Sequence, residues 1–247
     1  MRYLILSDIH ANLTALEAVL EAAERRWQKV VCLGDLVGYG PDPNEVVDRV
    51  RALGAVTIRG NHDKAATTPA NADEFNPIAR SAVLWTREHL RRDTLEYLES
   101  LPRGPLAVDD FYLIHGTLHD EDEYMFSPVQ ALEGLLTAPG PVVFFGHTHI
   151  QGGFCLRGED VTVLHFKPAG GQFFSTLTLE PGTQYLLNPG SIGQPRDGDP
   201  RAGFAIADIE NHSVEFWRVP YDVEAVQQRM AQAGLPETLS LRLSFGR

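Results

Sequence analysis

Five short apolar runs in this chain stop at side chains able to bind a metal, and this repeated punctuation constrains the fold more than any other feature. Val30-Val31-Cys32-Leu33 ends at Gly34-Asp35, and Tyr3-Leu4-Ile5-Leu6-Ser7 leads to Asp8 and His10. Ala55-Val56-Thr57-Ile58 leads to Arg59-Gly60-Asn61-His62-Asp63, Phe111-Tyr112-Leu113-Ile114 ends at His115, and Val142-Val143-Phe144-Phe145 leads to Gly146-His147-Thr148-His149. A short apolar run bounded by turn formers reads as a buried strand. In open sheets covered by helices, ligands gather at the carboxyl ends of strands. The five ends are therefore expected to converge on one site, with Asp35 near its centre.

The rest of the chain supplies helices and further strands. Asn12 is placed to cap a helix running to about Arg25, with Leu13, Leu16, Val19, Leu20 and Ala23 as its apolar stripe. A second helix runs to about Leu53, so the order is strand, helix, strand, helix, strand, which indicates parallel crossovers and an α/β core. Residues 75–101 read as helical, with a break near Arg92-Asp93; packing beside the sheet and covering the site are both open to them. Asp109-Asp110 sits between two strand-like runs as a hairpin turn, and Ser127-Pro128 starts another helix. Short strands then follow at about 153–156, 161–166, 174–179, 184–187, 203–208 and 213–218, which suggests a second sheet packed against the first. Leu235, Leu239 and Leu243 fall at helical spacing after Pro236, favouring a short helix at the end. The expected architecture is α/β, a two-sheet β-sandwich flanked by helices in four α/β/β/α layers. One domain over 1–247, with a helical insertion at about 75–101, accounts for the pattern.

Composition narrows the function classes. The formal net charge is −12 over 247 residues, which argues against a long nucleic acid or an anionic membrane surface as partner. A small phosphate ester remains compatible, because bound divalent ions invert the local field. Cys32 and Cys155 are the only cysteines; they form no zinc spacing and suggest a reducing compartment. The first apolar run is cut short by Asp8, and no later one is long enough to span a bilayer, so the expected location is cytoplasmic. Oligomeric state leaves no signature.

The strand-end inventory is Asp8, His10, Asp35, Asn61, His115, His147 and His149. Imidazole and carboxylate together suit borderline-hard divalent ions, Mn²⁺ first, with Fe, Zn or Ni also suited, and the lack of cysteine ligands argues against a structural zinc. Two such ions about 3.5–4 Å apart can activate a bridging water for in-line attack on phosphorus. Each residue has a plainer reading: Asp8 and Asp35 as turn caps, Asn61 as a turn residue, His147 and His149 as a loop pair. His119 and the acidic residues after it read as a solvated loop. Arg59 reads as a structural ion-pair former. Arg196 is open between a phosphate contact and a surface ion pair, and Tyr39 between a pocket wall and packing.

Asp8-Ile9-His10, Gly34-Asp35, Gly60-Asn61-His62-Asp63, His115-Gly116 and Gly146-His147-Thr148-His149 occur in the order and approximate spacing of the calcineurin-like metallophosphoesterases, which the chain resembles. Asn188-Pro189-Gly190-Ser191-Ile192-Gly193-Gln194-Pro195-Arg196 is similar to a loop of the smaller bacterial and archaeal phosphodiesterase-type members. The resemblance implies Asp8, His10, Asp35 and His149 around one metal, and Asp35, Asn61, His115 and His147 around a second, with Asp35 bridging. It implies His62 as the acid that protonates the leaving oxygen, and hydrolysis of a phosphodiester or small-molecule phosphate by a metal-bridging hydroxide. At Gly38-Tyr39-Gly40 the sequence departs from the protein phosphatase branch, which carries an aspartate and an arginine there. Asp63 or a backbone carbonyl is then left to orient His62. The alternative is a non-catalytic metal-binding scaffold on the same fold, which expects decay of the ligand set; here the set is intact.

Overall fold

The computed structural model describes residues 1–166, 168 and 172–247. The chain begins with β1 (Arg2–Leu6), α1 (Leu13–Ala22), β2 (Lys29–Cys32), α2 (Pro43–Ala52) and β3 (Val56–Thr57), and β2 pairs parallel to both β1 and β3. Asn12 caps α1 by accepting the Ala15 N–H at 3.1 Å, a contact worth about 1 kcal/mol. This orients Leu16, Val19 and Leu20 into the core, where each fully buried aliphatic side chain contributes about 1.5–3 kcal/mol.

After β3 the structure differs from the sequence reading. Asn61, His62 and Asp63 do not lie in a loop; they open a helix, α3 (Asn61–Thr67), directly after Gly60. Asp63 turns its carboxylate back to accept the Gly60 N–H at 2.9 Å, which closes the first turn. A 3₁₀ turn (Pro69–Glu74), α4 (Pro77–His89) and α5 (Arg92–Ser100) follow. Asn76 caps α4 by accepting the Ile78 and Ala79 N–H groups. The helical stretch divides its work: α5 packs on α2 and α3, whereas the start of α4 faces the candidate site.

β4 (Leu106–Val108) and β5 (Phe111–Leu113) form the expected hairpin about Asp109-Asp110. α6 (Pro128–Thr137) starts from a Ser127–Gln130 capping box. Next come β6 (Val142–Phe144), β7 (Gly152–Arg157), β8 (Asp160–His165), β9 (Phe174–Thr178), β10 (Thr183–Asn188), β11 (Ala202–Asp208) and β12 (Ser213–Val219). α7 (Val223–Gln232) and α8 (Glu237–Phe245) close the chain, so the end is helical as the Pro236 signal suggests.

The later strands do not build a second sheet of their own, and that expectation is corrected. One sheet runs β3-β2-β1-β11-β12-β9 and the other β4-β5-β6-β10-β7-β8, so the later strands complete both. β1 uses one edge for β2 and offers unpaired backbone groups on the other; β11, buried along its whole length, fills that edge antiparallel. β10 likewise lies parallel to β6 and antiparallel to β7. Ile5, Val31 and Phe216 from the first sheet meet Phe111, Phe144 and Leu187 from the second in a shared core. α1, α2 and α5 cover the outer face of the first sheet, α6 covers the second, and α4, α7 and α8 pack together beside Tyr39. The result is two mixed six-stranded sheets flanked by eight α-helices among the described residues, the two-sheet α/β architecture expected. None of these helices is long and apolar enough to cross a membrane.

Candidate metal centre

β1, β2 and β3 belong to one sheet and β5 and β6 to the other. Their polar ends meet across the seam between the two sheets. Asp8, His10, Asp35 and His149 each bring a ligand atom into one group whose atoms lie within 4.8 Å of one another, and Asp35, His115 and His147 form a second such group. Asp35 belongs to both. Asn61 completes the second group from the start of α3, its Oδ1 standing 3.2 Å from His115 Nε2. All seven side chains are buried.

Backbone carbonyls decide which nitrogen each imidazole presents. His10 Nδ1 donates to Val37 O at 3.0 Å, His115 Nδ1 to Leu33 O at 2.7 Å, and His149 Nδ1 to Gln194 O at 2.6 Å, so these three rings turn Nε2 into the cluster. His147 is reversed: its Nε2 donates to Asp122 O at 3.0 Å, leaving Nδ1 for the cluster. Such partners fix the tautomer and ring direction of a metal-binding histidine. Asp8, His10, Asp35, His147 and His149 also share a left-handed backbone, with φ between 49° and 64°. That conformation is costly for residues with a side chain and is held here by the surrounding fold. Gly60 has no room for a Cβ, which would stand 2.1 Å from Asp35 Oδ1.

The donor set fits cations. His10 Nε2 and His149 Nε2 lie 3.0 Å apart although both rings have committed their Nδ1 protons elsewhere, so two lone pairs face each other across a gap that a positive charge would bridge. Asp35 Oδ2 is buried with no hydrogen-bond partner among the described residues and is 3.5 Å from both His10 Nε2 and His115 Nε2. An orphaned buried carboxylate oxygen is costly unless a cation satisfies it. Against the cost of burial, the Asp35 carboxylate pushes His115 up to about 10. Burial, reinforced by the neighbouring His115 charge, pushes His147 down to about 3 and keeps its ring neutral.

His62 sits beside the cluster without joining it. Burial first, and then the Arg196 charge, push it down to about 4, against the opposing pull of Asp35. Its ring is wedged among His10, Tyr39 and Phe75, with centroids 4.4–4.8 Å away. Gly38 makes room for it, since a Cβ there would lie 2.4 Å from His62 Nδ1. Neither orienter expected from the sequence is used. Asp63 spends its oxygens on the N–H groups of Asp35, Leu36, Val37 and Gly60, and His62 Nδ1 has no partner. Aromatic packing, not a carboxylate, sets the ring.

Arg196 makes no surface ion pair: among the described residues no carboxylate lies within bridging distance of it. Its guanidinium donates to Gln194 Oε1 at 3.1 Å and to Tyr39 Oη at 3.3 Å, while Nε is buried and unpaired. The loop carrying it is pinned behind β1: Gly193 N donates to Asp8 O, Ser191 Oγ to Asp8 O, and Asn12 Nδ2 to Gly193 O. Tyr39 is therefore both packing for His62 and a partner of Arg196.

A cavity of about 430 Å³ opens beside the cluster, lined by His62, Asn61 and His147 on one side and by Asn71, Glu74 and Phe75 on the other. Tyr124, stacked on His147 at 3.9 Å, also lines it. The sequence reading missed these wall residues, because nothing in a local pattern marks an isolated Asn or Tyr. In the acidic loop His119, Asp120 and Glu123 are exposed as expected, but one residue departs from that reading. Glu121 is 7% exposed and paired with Arg59 at 2.8 Å and Lys64 at 3.3 Å. The Lys64–Asp122 contact ties the same loop to α3. The two basic residues were the available signal. Arg59 is the structural ion-pair former that its position suggests.

Comparison with known proteins places this geometry. A solved metallophosphoesterase from Sphaerobacter thermophilus is 40% identical, covers 100% of this chain and 99% of its own, and superposes with a TM-score of 0.85. An uncharacterized protein of Methanocaldococcus jannaschii is 35% identical over 98% of this chain and 97% of its own length. The phosphodiesterase YfcE of Escherichia coli is 26% identical over 87% of this chain and 91% of its own. The calcineurin-like phosphoesterase superfamily domain matches residues 1–212, a span that holds every strand end at the cluster and the loop behind it. With the fold, the strand-end residues and the matched span in agreement, the chain belongs to the calcineurin-like phosphoesterase superfamily.

Proposed function

We propose that residues 1–247 form one unit that hydrolyses a small phosphate ester, a phosphodiester or small-molecule phosphate, at a dinuclear metal centre. Asp8, His10, Asp35 and His149 hold one ion and Asp35, Asn61, His115 and His147 the other, with Mn²⁺ the ion best suited to the mixed imidazole and carboxylate set. The observation that carries this reading is Asp35 Oδ2, a buried, unpaired oxygen equidistant from one histidine of each group. Bound divalent ions supply charge neutralisation at phosphate and a water acidified to act near neutral pH. Arg196 adds a cation with a free Nε for a phosphate oxygen, and Tyr39 holds that guanidinium in place. His62 delivers a proton to the departing oxygen. Its depressed pKa keeps the ring neutral until an anionic ester arrives, and the charge of that ester favours the imidazolium.

The test is hydrolysis of a chromogenic phosphate diester and its monoester by chelator-stripped protein, with and without Mn²⁺. Turnover restored by the ion is expected, and two bound ions without turnover of either ester would overturn the enzyme reading. His62→Ala should keep both ions and slow poor leaving groups by about 10²–10⁴. An equal loss for good and poor leaving groups would remove the acid role.

A further inference from the structure

We infer that the cavity beside His62 is a leaving-group subsite selective for an alcohol that carries an ammonium or hydroxyl donor, and against one that carries a further anion. The inference rests on the phosphoesterase reading and deepens it. His62, 4% exposed and with no partner for Nδ1, lines this cavity, whereas Arg196 does not. An ester held by the metals and Arg196 therefore points the oxygen that His62 protonates, and the group attached to it, into the cavity. A volume of about 430 Å³ suits a small alcohol and not a polymer.

The charges of the wall decide what that alcohol can carry. Lys64 is the cation lining the cavity, and it is neutralised by Glu121 at 3.3 Å and by its contact with Asp122. Asp73 is taken by Arg80 at 3.1 Å. Glu74 has no basic partner among the described residues and lines the cavity with its charge uncompensated. Asn71, half-buried, adds a side-chain amide with no hydrogen-bond partner among the described residues. Two of the wall's rings are already engaged: Tyr124 lies between His147 and Phe126, and Tyr39 packs on His10 and His62. The wall thus offers an unpaired carboxylate and an amide.

The test uses three methyl phosphate diesters of nearly equal size whose second alcohol is ethanolamine, ethylene glycol or glycolate. Their affinities for the Mn²⁺-loaded protein are measured by calorimetry, alongside turnover of bis(p-nitrophenyl) phosphate. The aminoethyl ester is expected to bind about tenfold more tightly than the carboxymethyl ester, with the hydroxyethyl ester between them, as one nearby exposed charge allows. Glu74→Gln should collapse that ratio while the protein still binds its metals. Equal affinities in the wild type, or an unchanged ratio in Glu74→Gln, would overturn the inference. Absence of turnover of both bis(p-nitrophenyl) phosphate and its monoester, with two ions bound, would fell the phosphoesterase reading alone, because the affinity series decides the subsite without turnover.

Discussion

The two halves of the candidate centre share Asp35 and each carry two histidines, but they are supported differently. In the half around His10 and His149, both rings are fixed through Nδ1 by carbonyls of buried loops, and the Asn188–Arg196 segment locks behind Asp8. In the half around His115 and His147, one ring is held from the opposite nitrogen by Asp122, and that ring lies under Tyr124, which is 38% exposed. The support for Asp122 is an ion-pair clamp on a surface loop. A pair of histidines can thus rest on core packing or on a loop that solvent reaches. The second arrangement opens at lower free energy, because fewer buried contacts must be broken.

Four variants probe that difference. The largest effect is expected from Asp35→Ala, which removes the one oxygen common to both halves. Metal analysis should find both ions lost and diester turnover down by more than about 10³-fold; one ion retained at full occupancy would show that the halves are independent. Next, His147→Ala should weaken the second ion by at least about 10²-fold with little change in thermal stability, since its ring is covered by an exposed tyrosine. His10→Ala should cost the first ion and also about 1–3 kcal/mol of stability, because that ring packs on Tyr39, His62 and His149. Equal stability losses would erase the contrast between the halves.

The smallest effect comes from the clamp. Burial raises the Glu121 carboxyl, but the Arg59 and Lys64 charges outweigh it and hold it below its ordinary value. A depressed carboxyl contributes stability that is present above the unfolded value, about 4.3, and is lost as pH falls through the lower folded value. Glu121→Gln should therefore cost about 1 kcal/mol at pH 7, a figure kept small because Arg59 is 34% exposed. The difference should shrink as unfolding is measured below about pH 4. The same variant should loosen the second ion about tenfold through Asp122. An equal loss at the first ion as well would mean that the loop supports both halves.

What the sequence by itself determined was local: which apolar runs are strands, where each stops, and which side chains stand at those stops. Asn12, Ser127 and Pro236 mark helix starts because capping is decided within one turn. The candidate ligands were legible for the same reason, each lying within a few residues of a strand end. Tertiary structure alone decided the rest. The pairing of β11 with β1 and of β10 with β6 joins residues far apart in the chain, and an alternating strand pattern is equally compatible with either sheet. The nitrogen that each histidine presents depends on a carbonyl from another element, as His149 depends on Gln194 and His147 on Asp122. Glu121 reads as solvated in a run of acids and becomes buried only where Arg59 and Lys64 converge on it. Chain chemistry is short-ranged along the sequence, whereas burial, register and tautomer are set by neighbours that only folding brings into contact.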